Sequence, residues 1–173
     1  FNDVLIRPKR STLSSRKEVD VKRPFIFKNC VYKPTYNGVP IMASNMDGVG
    51  TMEMADTLAK QNLFTCLVKT YEDHELIDFF MKESEVGHKD RTENVAMSIG
   101  ITEEDRAKFD YVYEQIDTNL KYVCIDVANG YSERFVKYIK DFREDYPHVV
   151  IIAGNVVTAD QTQELILNGA DIV

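Results

Sequence analysis

Asn45, Met46 and Asp47 stand together in the stretch ASNMDGVGT (43–51), directly after an apolar run. An amide, a thioether and a carboxylate side by side offer hydrogen bonds and a soft apolar surface suited to a flat heterocycle. The same residues also read as a strand-to-helix turn in which Asp47 caps the helix. Lys69 ends a second run, LFTCLV (63–68), that is otherwise apolar. A lysine there can neutralise phosphate or, once desolvated, move a proton; a surface lysine snorkelling out of the fold is the plainer alternative. Asp126 lies in YVCIDVA (122–128), ahead of Asn129 and Gly130. Its carboxylate suits ribose hydroxyls or an amide, or could instead cap the next helix. Asn155, in AGNVVT (153–158), carries an amide that both donates and accepts.

The elements that must position these residues repeat along the chain. Short apolar runs occur at VPIMAS (39–44), LFTCLV (63–68), NVAMSI (94–99), YVCIDVA (122–128) and HVVIIAG (148–154), and ADIV (170–173) begins another. Runs rich in Val and Ile and apolar on both faces are the signature of parallel strands covered on both sides. Amphipathic segments of helical period lie between them. Thr158-x-x-Gln161 reads as a capping box, Gly169 as the glycine that ends the same helix, and Thr102 as the head of ITEEDRAKFDYVYEQI. In SERFVKYIKDF (132–142), Phe135, Ile139 and Phe142 share one face, and Pro147 stops the helix.

Alternating strands and helices fit a doubly wound sheet or a (β/α)8 barrel. No G-x-G-x-x-G follows the first strand, and polar residues recur where several strands end: Asn45 and Asp47, Lys69 and Thr70, Ser98, Asp126 and Asn129, Asn155. Convergence of strand ends on one face favours the α/β class with a TIM-barrel architecture. The expectation is a basic N-terminal arm or β-ribbon over 1–38, with Asn37-Gly38 as a turn signal, then a partial barrel over 39–173 holding strands 1–5 and the start of strand 6.

Composition narrows the functional classes. The chain has 173 residues, 44% hydrophobic and 28% charged, as expected of one soluble globular domain. No run approaches the roughly 18 apolar residues of a membrane span, and the start does not resemble a signal peptide. Cys30, Cys66 and Cys124 are scattered and odd in number, which favours reduced thiols and a cytoplasmic location over a disulfide framework. His74, His88 and His148 lie far apart, so no metal site of the zinc type is expected. Residues 1–35 hold nine Lys/Arg against three Asp/Glu, whereas the rest holds twelve against twenty-five. The acidic body argues against nucleic acid as a partner. The basic arm is either a solvated strand or a clamp for an anionic ligand.

FNDVLIRPKRSTLSSR (1–16), ASNMDGVGT (43–51), VCIDVANGYSERFV (123–136), AGNVVT (153–158) and ELILNGADIV (164–173) together resemble the IMP dehydrogenase/GMP reductase family. Two features point to the reductase branch. Only residues 70–94 separate Lys69 from the third strand, too few for the regulatory insertion usual in the dehydrogenases, and a lysine stands after the second strand. The resemblance implies a tetrameric cytoplasmic oxidoreductase of purine salvage that reductively deaminates GMP to IMP and ammonia with NADPH. It implies cofactor contacts from Ser15 and Arg16 of a neighbouring subunit's arm and from Lys69, Asp126, Val127 and Ala128. Lys69 would also lie near the leaving group and could transfer a proton. Met46 and Asn155 would contact the nucleotide. The family's nucleophilic cysteine, most phosphate contacts and its monovalent-cation (potassium) loop have no match in 1–173, and the chain alone is expected to be inactive. Opening on Phe1 and ending at Val173, it reads as a portion of a longer protein. Gly48 stands where the family usually has threonine, and VKTY where histidines usually flank the lysine. The alternatives are IMP dehydrogenase chemistry and a non-catalytic half-barrel that binds nucleotide or assembles with a partner.

Overall fold

A computed structural model describes residue 5 and residues 7–82, 91–116 and 120–173. Residues 1–4 and 6 of the FNDVLIRPKRSTLSSR stretch, and His88, lie outside the described residues. Two strands, β1 (Arg23–Ile26) and β2 (Thr35–Gly38), form an antiparallel pair. Five more follow: β3 (Met42–Ala43), β4 (Phe64–Cys66), β5 (Val95–Ile99), β6 (Tyr122–Asp126) and β7 (Val150–Gly154). Between and after them run α1 (Met52–Ala59), α2 (Asp73–Met81), α3 (Glu103–Gln115), α4 (Glu133–Asp145) and α5 (Ala159–Leu167).

Strands β3 to β7 pair in parallel and in sequence order, and Ile172 extends the series through a parallel bridge to Ile152. A doubly wound sheet would reverse its order at a switch point. Burial settles the same question. Val95, Met97, Ile99, Val123, Ile125, Ile151 and Ala153 pack with the buried faces of the helices in one cluster. Their alternates, Phe64, Cys66, Ala96, Tyr122, Cys124, Val150 and Ile152, pack together with Phe27, Cys30 and Tyr36 from the N-terminal segment in another. Helices on one face and a lined interior on the other define a curled sheet, part of a (β/α) barrel.

The β1–β2 hairpin seals the base of that interior. Phe27 meets Tyr122 edge-on at 5.9 Å, Tyr122 meets Phe64 at 4.9 Å, and Tyr36 meets Phe64 at 5.6 Å. The Tyr36 hydroxyl donates to the Asn62 carbonyl at 2.8 Å. Asn37-Gly38, a turn signal in the sequence, lies instead at the end of β2, paired with Pro24 and Arg23. Close packing accounts for the glycine. A Cβ on Gly38 would stand 2.4 Å from the Tyr36 ring and 2.5 Å from the Asn62 carbonyl oxygen.

A second anchor ties the hairpin loop to the last strand. Asp171 has a fully buried side chain and meets Arg143 Nη2 at 2.6 Å. Its carboxylate also accepts from the Ile151 and Asn29 amides, each at 3.1 Å. Arg143 donates in addition to the carbonyls of Val149 (2.7 Å) and Gly169 (3.0 Å).

Helix starts follow local chemistry. Thr51, Thr102, Ser132 and Thr158 each accept a backbone N–H of the first turn through their hydroxyls. Thr102 is joined by Asp105 in a complete capping box, whereas Thr158 is only half of one. The Gln161 amide turns away from Thr158 and donates to the Gly130 carbonyl at 2.8 Å. Gly169, at φ 114°, ends the α5 region as the sequence suggests.

Candidate functional site

The C-terminal ends of the strands carry most of the candidate residues. The Asn45 amide donates to Asp126 Oδ2 at 3.1 Å, which joins the turn after β3 to the end of β6 across the intervening strands. Asp126 is half-buried at the last position of β6. Neither aspartate considered as a helix cap serves as one: Thr51 caps α1 and Ser132 caps α4. Asp47 and Asp126 both sit several residues ahead of those helices, in turns longer than the sequence pattern implies. Met46 is 62% exposed, a thioether presented to solvent beside Asn45.

The loops after β6 and β7 interlock. Val127 donates to the Gly154 carbonyl and Asn155 donates to the Val127 carbonyl, both at 2.8 Å. Gly130 donates to Asn155 at 2.9 Å, and a Cβ on Gly130 would come within 2.8 Å of that same carbonyl oxygen. The Tyr131 hydroxyl accepts from the Val157 amide at 2.9 Å. Hydrogen bonding to Thr158 and to this amide holds the Tyr131 phenol below its ordinary value. Val127, Gly130 and Asn155 are thereby fixed to one another. An added Cβ on Gly154 would meet nothing within 4 Å, so the mouth beside them is open.

Lys69 is exposed immediately after β4. Asp105, at the start of α3, accepts from the Thr102 hydroxyl at 2.6 Å and the Thr102 amide at 3.1 Å. Burial pushes the Asp105 carboxyl up, but these bonds, the Gly100 amide and the charge of Lys69 outweigh it and hold the group below its ordinary value. Ser15 and Arg16 are exposed, with Ser15 capping a short 3-10 turn at Arg16–Glu18, and no described contact joins them to the strand ends.

All three cysteines are buried, free thiols, as their scatter and odd number suggest. Cys30 donates to the His148 carbonyl at 3.1 Å, and burial pushes its thiol up. The Cys124 thiol and burial together push Cys66 well above the ordinary thiol range, and Cys66 lies 3.3 Å from the Met42 sulfur. Burial thus keeps the Cys30 and Cys66 thiols protonated, and protonated thiols in a packed interior are poor nucleophiles. Lys108, Tyr131 and Gln161 escape the sequence reading. Each acts on a segment distant in the chain, whereas the sequence patterns that contain them, a helix for Lys108 and a capping box for Gln161, concern local structure only.

These features define part of a (β/α) barrel whose polar groups converge on the strand C-terminal face. The chain belongs to the IMP dehydrogenase / GMP reductase domain family, whose pattern it matches over residues 1–173. It is 50% identical over 173 residues to a GMP reductase of Caenorhabditis elegans, covering all of this chain and 46% of that protein. It is likewise 50% identical to the GMP reductase 2 of Homo sapiens, covering 47% of that protein. The chain thus spans about half the length of these curated relatives. Among solved structures, the inosine 5′-monophosphate dehydrogenase of Legionella pneumophila superposes with a TM-score of 0.73 at 24% identity. The match covers 98% of this chain and 48% of that one, and supports the fold.

Proposed function

We propose that the protein is an NADPH-dependent GMP reductase, converting GMP to IMP and ammonia, and that this chain supplies its cofactor-side strand ends. The observation that carries the reading is the joining of Asn45, Asp126, Val127 and Asn155 by hydrogen bonds on one open face. Relatives at about 50% identity bear the name GMP reductase, which favours the reductase over the dehydrogenase direction.

The residues present fit a dinucleotide and a purine nucleotide. Asp126 offers a carboxylate oriented by Asn45, suited to ribose hydroxyls, with Val127 and Ala128 beside it. Open space above Gly154 leaves room for a flat ring near Asn155, and exposed Met46 supplies a polarisable surface for a base. Lys69 in this reading offsets phosphate charge or holds a proton near the departing ammonia. Ser15 and Arg16 serve a neighbouring subunit's cofactor in a homo-oligomer, which we propose to be the tetramer. When bound, NADPH supplies a hydride to the purine C2 position. The nucleophilic thiol is assigned to a cysteine outside residues 1–173, consistent with the buried state of Cys30, Cys66 and Cys124. A potassium requirement and a cytoplasmic location belong to the same proposal.

The test is direct. The full-length protein, mixed with GMP and NADPH, should consume NADPH with equimolar release of IMP and ammonia. Turnover of IMP with NAD instead, and none of GMP, would assign it to the dehydrogenase reaction.

A further inference from the structure

Asp105 and Lys108 stand three positions apart on α3 and therefore share one face of that helix. That face is turned toward the loop between β4 and α2, which carries Lys69. The Lys108 ammonium donates to the Tyr71 carbonyl and reaches the Lys69 carbonyl at 3.5 Å. It lies 3.9 Å from the Asp73 carboxylate, and its side chain is only 21% exposed. Two carbonyls, two positions apart in the loop, are thus tied to one cation. Asp105, on the same face, has its carboxylate held by the Thr102 amide and hydroxyl.

From this arrangement we infer that Lys108 is a positioning residue for Lys69, acting as a bracket from α3 on the β4–α2 loop. An exposed lysine on an untied loop samples many rotamers and many backbone states. Lys108 removes the backbone part of that freedom by holding the Lys69 and Tyr71 carbonyls. A second cation so close would ordinarily repel Lys69, but Asp73 offsets its charge. The inference rests on the reading of Lys69 as a cofactor-side lysine, and it adds a residue that acts on Lys69 without touching the ligand.

The experiment uses the full-length protein with Lys108→Met and Lys108→Arg, read by amide hydrogen exchange across residues 68–73 and by separate KM values for NADPH and GMP. Loss of a charge-assisted tie predicts about tenfold faster exchange in the loop for K108M and a several-fold rise in KM for NADPH, with KM for GMP unchanged. Arginine, which also donates to carbonyls, should restore both. Unchanged exchange in K108M would overturn the bracket, and so would equal rises in both KM values accompanied by a lowered melting temperature. If the wild-type protein oxidises no NADPH with GMP, the functional reading fails, whereas the exchange measurement still decides the bracket by itself.

Discussion

Replacing Arg143 by methionine should be among the most damaging single changes to this fold, and the structure gives the size of the effect. Arg143 is 13% exposed and its partner Asp171 has no exposed side-chain surface. Methionine keeps much of the aliphatic bulk but leaves the Asp171 charge with only backbone amides, those of Asn29, Cys30 and Ile151, as described hydrogen-bond donors. Removing one partner of a buried ion pair costs about 3–5 kcal/mol. The Val149 and Gly169 carbonyls also lose their donor, which places the expected loss in the upper half of that range. Against a total stability of roughly 5–15 kcal/mol this is a large fraction. Urea unfolding followed by circular dichroism would measure it, with Lys137→Met as control. Lys137 pairs with Asp141 on the surface, its side chain 73% exposed, and its removal should leave the midpoint unchanged. Because much of the penalty is an orphaned charge, the double variant R143M/D171N should be more stable than R143M alone. A loss below about 1 kcal/mol for R143M, or a double variant weaker than the single, would refute the reasoning.

Three further outcomes are expected. Asp126→Asn should keep the fold, since its side chain joins only the Asn45 amide among the described hydrogen bonds, and should raise KM for NADPH about tenfold, as for loss of a charged acceptor; steady-state kinetics of the full-length protein checks this. Gly38→Ala should cost about 1–3 kcal/mol through overpacking, because the new methyl meets the Tyr36 ring and the Asn62 carbonyl; thermal unfolding measures it. The folded chain holds Asp105 below its ordinary carboxylate value, so between the two values the unfolded state binds more protons. Stability from this group is therefore full above the unfolded value, 3.8, and is lost as pH falls through the folded one, so unfolding curves of Asp105→Asn should show a weaker acid dependence in that window.

The βα rhythm was legible because parallel strands covered on both faces leave unbroken apolar runs, and residues such as Met97 and Ile125 are buried in that way. The α4 face of Phe135, Ile139 and Phe142 was legible for the same reason, one period of burial with charge opposite. Short-range chemistry misled where a competing partner lay elsewhere. Gln161 has the spacing of a capping box, yet the carbonyl of Gly130 takes its amide. Asn37-Gly38 has the composition of a turn, yet an aromatic ring sets the need for glycine. The run VPIMAS shrinks to two paired residues, Met42 with Phe64 and Ala43 with Thr65. At the site, residue types at strand ends pointed to the C-terminal face, where Asn45, Asp126 and Asn155 gather. The hydrogen bonds that join them, such as Asn45 to Asp126 or Tyr131 to Val157, cross tens of residues and leave no periodic trace in the sequence.

The hairpin at the barrel base has a consequence for the order of assembly. Asn29 and Asp171 are 142 residues apart in the chain, so the segment made early finds its anchor only near the end of this stretch. While the ribosome is still extending β4 to β7, Phe27 and Tyr36 have no finished floor to enter, and their rings remain open to wrong partners. Contacts of such long sequence separation slow folding and leave sticky intermediates exposed. A nascent chain of this protein should therefore depend on chaperone shielding of its first strands until the Arg143–Asp171 anchor has emerged.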